Sequence, residues 1–417
     1  MGGVLHQRGR AWTMAAMLFV FIVVNFADKV ALGLVAVPLM DELKFTPGEF
    51  GLIGSSFFWL FAISGVLGGF LSDRIKTKWL LLAMAVSWSL MQLPIILGTS
   101  IGAFIAARVL LGIGEGPAWP VSVHAIYKWF PDKDRALPVA LFSQGGAIGL
   151  LLAGLTIPLA TANFGWRTSF VGLAIIGAMW ALLWALIGKE GPIDPKATDG
   201  KAAVRDQPLA RVLADPTVWG NIMLHFVAYW ALAGALTWLP AYFQKGLGFD
   251  NIAAGRMYGL VVATTIPLVL LSSWWSQRLM AKGWSSRDAR GRFSSLWLIL
   301  AGLAFAPLLL PGLPTIARVG IFAVALGFTP AIYALGPAML AQVTPASRRG
   351  AVLAIDNSIA SLAGMLAPIV SGQLIERYAG AGGYELGYLL SGALLIVGGL
   401  LGWLVVNPER SIKNLNA

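Results

Sequence analysis

Cysteine is absent from the 417-residue chain, which excludes disulfides, thiolate catalysis and cysteine-ligated metals. Charge is scarce: Asp, Glu, Lys and Arg make up 12% of the residues, against about 25% in a soluble domain. Histidine occurs three times, at His6, His124 and His225, far apart and without metal-binding spacing. No nucleophile–base pairing is legible either, so neither an enzyme nor a metal or organic cofactor is expected. Acidic residues number 19 against 30 Lys and Arg, a net charge of +11. A nucleic-acid partner does not follow, because the basic residues sit in short gaps between long apolar runs, as membrane orientation requires.

What is abundant fits that reading. Hydrophobic residues make up 58% of the chain, with 17 Trp and 49 Gly. Tryptophan marks membrane interfaces, and glycine lets helices approach closely. Breaks in hydropathy predict twelve membrane-crossing helices near 12–40, 50–72, 78–99, 101–126, 136–161, 167–188, 216–244, 252–280, 293–311, 314–342, 350–377 and 384–406. The outer segments carry only Lys44, Arg167, Lys245, Arg256, Arg318 and Arg377, and Lys29 and Arg108 lie within spans. Every other Lys and Arg falls on the side of the N-terminus, so both termini are expected in the cytoplasm and the protein in a cell (inner) membrane. The first apolar stretch is longer than a signal-peptide core and contains Asp28, which makes it a retained helix.

One long polar gap, "GKEGPIDPKATDGKAAVRDQPLARVLADP", divides the chain into an N-terminal half (1–189), a linker (190–215) and a C-terminal half (216–417). The halves echo each other. "GPAWPVSVHAIYKWFPDKDRA" parallels "TPAIYALGPAMLAQVTPASRRG", matching Pro117 with Pro330 and Arg135 with Arg348 at one offset, which also matches Gln144 with Asn357. Duplicated six-helix halves with a substrate site between them are a transporter architecture.

The loop "GGFLSDRIKTK" resembles the signature of the major facilitator superfamily between its second and third helices, G-x-L-x-D-R-x-x-x-[RK]. The resemblance implies that Gly69 permits tight helix contact and that Asp73 and Arg74 form a gating charge lock. The matching loop of the second half keeps Arg278 but has Gln277 in place of the aspartate. The fourth span narrows the resemblance. "RVLLGIGEGPAWP" followed by "WFPDKDR", with "TWLPAYF" and "NFADK", is similar to the anion:cation symporter family, which implies proton-coupled import of a small organic anion such as a sugar acid or an aromatic carboxylate. In that family the residue after the first-helix aspartate is usually arginine and tyrosine is common two positions before it; Lys29 and Phe26 depart from both. The alternatives are an exporter of the same superfamily, whose G-x-x-x-G-P-x-x-G-G pattern is missing from the fifth span, and a non-transporting sensor.

A charge at bilayer depth costs several kcal/mol, so each buried ionisable group needs a role. Arg108 and Glu115 are seven residues apart, on one helix face about 10 Å apart along the axis. Asp28 falls level with Arg108, so two acids and two bases are expected to converge. Lys29 and Arg108 are the expected anion-binding cations, and Glu115 and Asp28 the expected proton-coupling acids. Glu115 is expected to exchange partners with Arg108, in a stretch that Gly114, Gly116 and Pro117 open to water. Gln144, Asn357, Tyr229 and Trp238 are weaker substrate-binding candidates, with Trp230 beside them. Asp356 and His225 are rival proton sites. The expected partners are the anion, protons and lipid, with a monomeric carrier.

Overall fold

The computed structural model describes residues 2–72, 74–131, 134–193, 207–345, 348–378 and 380–416. Twelve helices in them are long and apolar enough to cross a membrane. They are numbered here as spans: 1 Arg8–Leu34, 2 Pro47–Ser72, 3 Thr77–Leu97, 4 Ile101–Tyr127, 5 Leu137–Phe164, 6 Trp166–Ile187, 7 Pro216–Gly246, 8 Asn251–Ala281, 9 Arg287–Leu309, 10 Thr315–Val343, 11 Arg349–Arg377 and 12 Ala381–Val405. Helices satisfy their backbone hydrogen bonds internally, which hydrocarbon demands of any open chain that crosses it. The protein is an all-helical, multi-pass membrane protein. Span 1 ends at Leu34 rather than near residue 40; a separate short helix, Ala36–Leu43, follows and is closed by Lys44 in the left-handed conformation.

The described residues fall into two compact units: Met1–Asp199 with Phe249–Gly259, and Gly200–Gly248 with Leu260–Ala417. The start of span 8 thus groups with the first unit. Each unit repeats one internal pattern. In the first, span 1 lies along span 5 and span 3 along span 6; in the second, span 7 lies along span 11 and span 9 along span 12. The echo at Pro117 and Pro330 has a structural counterpart. Both prolines sit at helix interruptions with nearly the same backbone angles, φ −74°, ψ −9° and φ −71°, ψ −8°.

Spans 2 and 4 touch backbone to backbone. A Cβ on Gly112 would sit 1.9 Å from the Phe57 carbonyl oxygen, and one on Gly116 2.2 Å from that of Phe61. Only glycine fits at either place. The contact expected of Gly69 is made by its neighbour: a Cβ on Gly68 would lie 2.2 Å from Pro117, whereas Gly69 faces open space. One residue along a helix turns the side chain by about 100°, enough to move it off the contact face.

Candidate functional site

Four charged side chains from spans 1 and 4 meet inside the first unit. Asp28, Arg108 and Glu115 are 3%, 3% and 0% exposed. The Lys29 ammonium stands 3.8 Å from Glu115 Oε2 and donates to Asn25 Oδ1 at 2.8 Å. It also lies over the rings of Phe26 and Phe61, at 4.4 and 5.2 Å from their centres. Arg108 stacks over Phe57 at 4.7 Å. The guanidinium interacts electrostatically with both Asp28 and Glu115 but forms an ion pair with neither. Gln92 of span 3 donates to Asp28 Oδ2 at 2.7 Å and to the Trp88 carbonyl at 3.2 Å.

The cluster is under-bonded. Arg108 Nε and Nη1 are buried with no hydrogen-bond partner, and Asp28 Oδ1 and both Glu115 oxygens have none as carboxylates, although the two carboxyl groups lie within hydrogen-bond reach of each other and can share a proton. Buried polar groups in folded proteins nearly always have partners, and orphaned ones cost free energy. Such a set is poor as a structural lock and well suited to receiving a ligand. With both acids ionised the four charges sum to zero, and Arg108, with unmet donors, stands with Lys29 where an anion can be held.

The nearer cation to Glu115 is Lys29, whose side chain reaches across from span 1, while Arg108, two turns away along span 4, acts on it electrostatically. Gly116 and Pro117 do interrupt the helix, but they pack against span 2, and the carboxylate is closed off from water.

The remaining predicted residues scatter. Gln144 is half-buried on span 5 and Asn357 is exposed on span 11; neither side chain hydrogen-bonds within the described residues. Tyr229 is half-buried, with its ring 6.1 Å from that of His225. Trp238 is 1% exposed, donates its indole N–H to the Pro368 carbonyl and meets Tyr384 edge-on, a packing position between spans 7, 11 and 12. Trp230 is buried, with its indole N–H unpartnered. Asp73 lies outside the described residues. Arg74 is exposed just past the end of span 2. Among the described residues no group of three His, Asp or Glu side chains could hold a metal ion.

Sequence reasoning missed Gln92, Asn25 and the phenyl walls, because amides and phenylalanines in an apolar helix carry no distinctive spacing. It also missed a matched pair of glutamates beyond the spans. Glu190 accepts from Thr77 N at 3.2 Å and Lys78 N at 3.1 Å, at the start of span 3, and pairs with Lys128. Glu409 accepts from Ser286 N and Arg287 N, at the start of span 9. Free N–H groups and the positive dipole end favour a carboxylate there. Burial alone would raise the Glu190 carboxyl; the Lys128 ammonium and the two N–H groups outweigh it and hold it below the ordinary carboxylate value.

The profile of the Major Facilitator Superfamily matches residues 17–329. A rice protein named "Probable anion transporter 4, chloroplastic" is 26% identical, over 98% of this chain and 70% of its own length. The "Hexuronate transporter" of Bacillus subtilis is 27% identical, over 93% of this chain and 92% of its own. Among solved structures, a bacterial homologue of the human lysosomal transporter Spinster superposes with a TM-score of 0.80 at 17% identity, covering 98% of both chains; that likeness speaks for the fold. The family profile, the twelve spans and the repeated helix pattern agree, and the chain belongs to the Major Facilitator Superfamily, a family of membrane transporters and not of enzymes.

Proposed function

We propose that the protein is a proton-coupled symporter that imports a small organic anion, a carboxylate such as a sugar acid or an aromatic acid, by alternating access. The observation that carries the reading is the buried, under-bonded set of Asp28, Lys29, Arg108 and Glu115. Arg108 offers a planar fork of donors suited to a carboxylate, and Lys29 a second point charge. The coupling follows from charge. Four groups summing to zero become net negative when an anion enters, and a net charge in a low-dielectric site is costly. One proton restores neutrality. As the anion draws Lys29 and Arg108 towards itself, it weakens the cationic support of Glu115, which then takes that proton; Asp28, 3% exposed and within reach of the same cations, titrates with it as a set. Anion and proton therefore bind together.

The similarity to relatives named as anion and hexuronate transporters supports the anionic substrate class. Gln144, Asn357 and Tyr229 are secondary candidates for polar contacts with the substrate, each on the strength of the sequence alone. The proton is the coupling ion and no cofactor is needed. The distribution of Lys and Arg supports cytoplasmic termini; the carrier is taken to be a monomer in a cell (inner) membrane. A thermal-shift panel of sugar acids, aromatic acids and dicarboxylates on the purified protein tests the reading, since a specific ligand raises apparent stability by mass action. At least one acid is expected to stabilise the parent and to fail with Arg108→Ala; stabilisation by cations or neutral sugars alone would overturn it.

A further inference from the structure

The second unit holds a buried ionisable pair that the site on spans 1 and 4 does not use. His225 of span 7 and Asp356 of span 11 are 131 residues apart in sequence. His225 Nδ1 lies 2.7 Å from Asp356 Oδ2, with the side chains 12% and 3% exposed. Asn221, one turn before His225, donates from Nδ2 to Asp356 Oδ1 at 3.0 Å. The Tyr333 ring of span 10 stands edge-on to the imidazole at 5.3 Å, and its buried hydroxyl has no hydrogen-bond partner.

The hydrogen bonds fix where protons can go. Oδ1 of Asp356 accepts from the Asn221 amide, an arrangement that favours an ionised carboxylate. One proton is therefore shared on the line between Oδ2 and Nδ1. His225 Nε2 makes no hydrogen bond with the described residues, so the next proton goes there. The titratable side chains that touch the ring are Asp356 from span 11, Tyr333 from span 10 and Tyr229 from its own helix. Spans 9 and 12, also packed on span 7, contribute none among the described residues. Among the described residues no lysine or arginine forms an ion pair with either group.

We propose that His225 is a second proton-loading site of the carrier, filled at Nε2, with Asp356 and Asn221 as positioning residues. The inference rests on reading the chain as a proton-coupled carrier. The Nε2 lone pair takes a proton from water, imidazole becomes imidazolium, and Asp356 stays a carboxylate. The pair passes from a net charge of minus one to zero. A buried net charge is costly and a hydrogen-bonded neutral pair much less so, so loading Nε2 lowers the cost of carrying this unit through a closed state.

Nitrogen NMR of the full chain in nanodiscs, with isotope-labelled histidine, tests this without any substrate. His225 is assigned by difference against His225→Asn, or against His6→Gln and His124→Gln if that variant does not fold. Nδ1 is expected to stay protonated while Nε2 gains its proton as the pH is lowered, and Asp356→Asn is expected to abolish the Nδ1 preference. An Nε2 that keeps one protonation state wherever the protein is folded, or a tautomer indifferent to Asp356→Asn, would overturn the proposal. A second readout is the reversal potential in proteoliposomes, using the acid that stabilises most in the panel above. His225→Asn is expected to move one fewer proton per substrate than the parent; equal ratios overturn the second site. A parent with no proton coupling at all counts against the symport reading instead and leaves the NMR result to decide whether Nε2 loads.

Discussion

The two units share a helix pattern and a carboxylate cap but treat buried charge in opposite ways. On spans 1 and 4, four charged groups lie together with most of their hydrogen-bonding capacity unmet. On spans 7 and 11, His225 and Asn221 each bond Asp356, and both carboxylate oxygens are occupied. An under-bonded cluster is prepared for something that arrives; a bonded one holds its own geometry. The two units thus share a scaffold and differ in how their buried charges are bonded, and the proposed anion site falls to the first.

The division can be broken hardest at its cations. Removing one partner of a buried charge cluster leaves another uncompensated, at a cost of a few kcal/mol. Arg108→Ala and Lys29→Ala are each expected to lower substrate affinity by about 100-fold or more, read by ligand-induced thermal shift. Lys29→Arg should keep much of it, because the charge remains. Unchanged affinity in both alanine variants would remove the anion site from the first unit.

A smaller effect is expected at the loop after span 2. Asp73→Asn should slow uptake with little change in binding, on the strength of the sequence signature alone. A large loss of affinity with normal turnover would contradict a gating role.

The mildest effect sharpens what the units have in common. Glu190→Gln removes a charge from the N-terminus of span 3 and its pair with Lys128, and roughly 1 kcal/mol of stability with it. Its folded carboxyl titrates below its ordinary value of 4.5, so its contribution is fully present above that value and is lost as the pH falls through the lower folded one. The parent should therefore lose stability on acidification below about 4.5 more steeply than the variant, while substrate affinity at neutral pH stays the same. Melting curves across pH would show it; parallel curves would mean the cap does not titrate.

Much of this was legible in the chain. The twelve spans follow from apolar runs, because the bilayer fixes their length. The four charges of the first unit follow from the cost of burying them. Helix rotation was the weak point. One residue separates Gly68 from Gly69, and a reach across from span 1 makes Lys29 the nearer cation to Glu115. Periodicity within one helix cannot fix the facing between two. Gln92 gave no signal, since an amide reads as helix glue until a carboxylate is found beside it. His225 and Asp356 were each visible as buried ionisable residues, but their pairing across 131 residues was not.

The central claim is that Glu115 carries the coupling proton beside the anion. Glu115→Gln holds that group permanently in its neutral form and leaves Lys29 and Arg108 free for the substrate. Counterflow and gradient-driven uptake in the same proteoliposomes separate the two functions. The variant is expected to exchange labelled for unlabelled substrate, because exchange needs only the loaded carrier to reorient. It is expected to fail to accumulate substrate under an inward proton gradient, because no proton can leave to reset the empty carrier. Accumulation equal to the parent's would contradict the account and move the proton site away from Glu115.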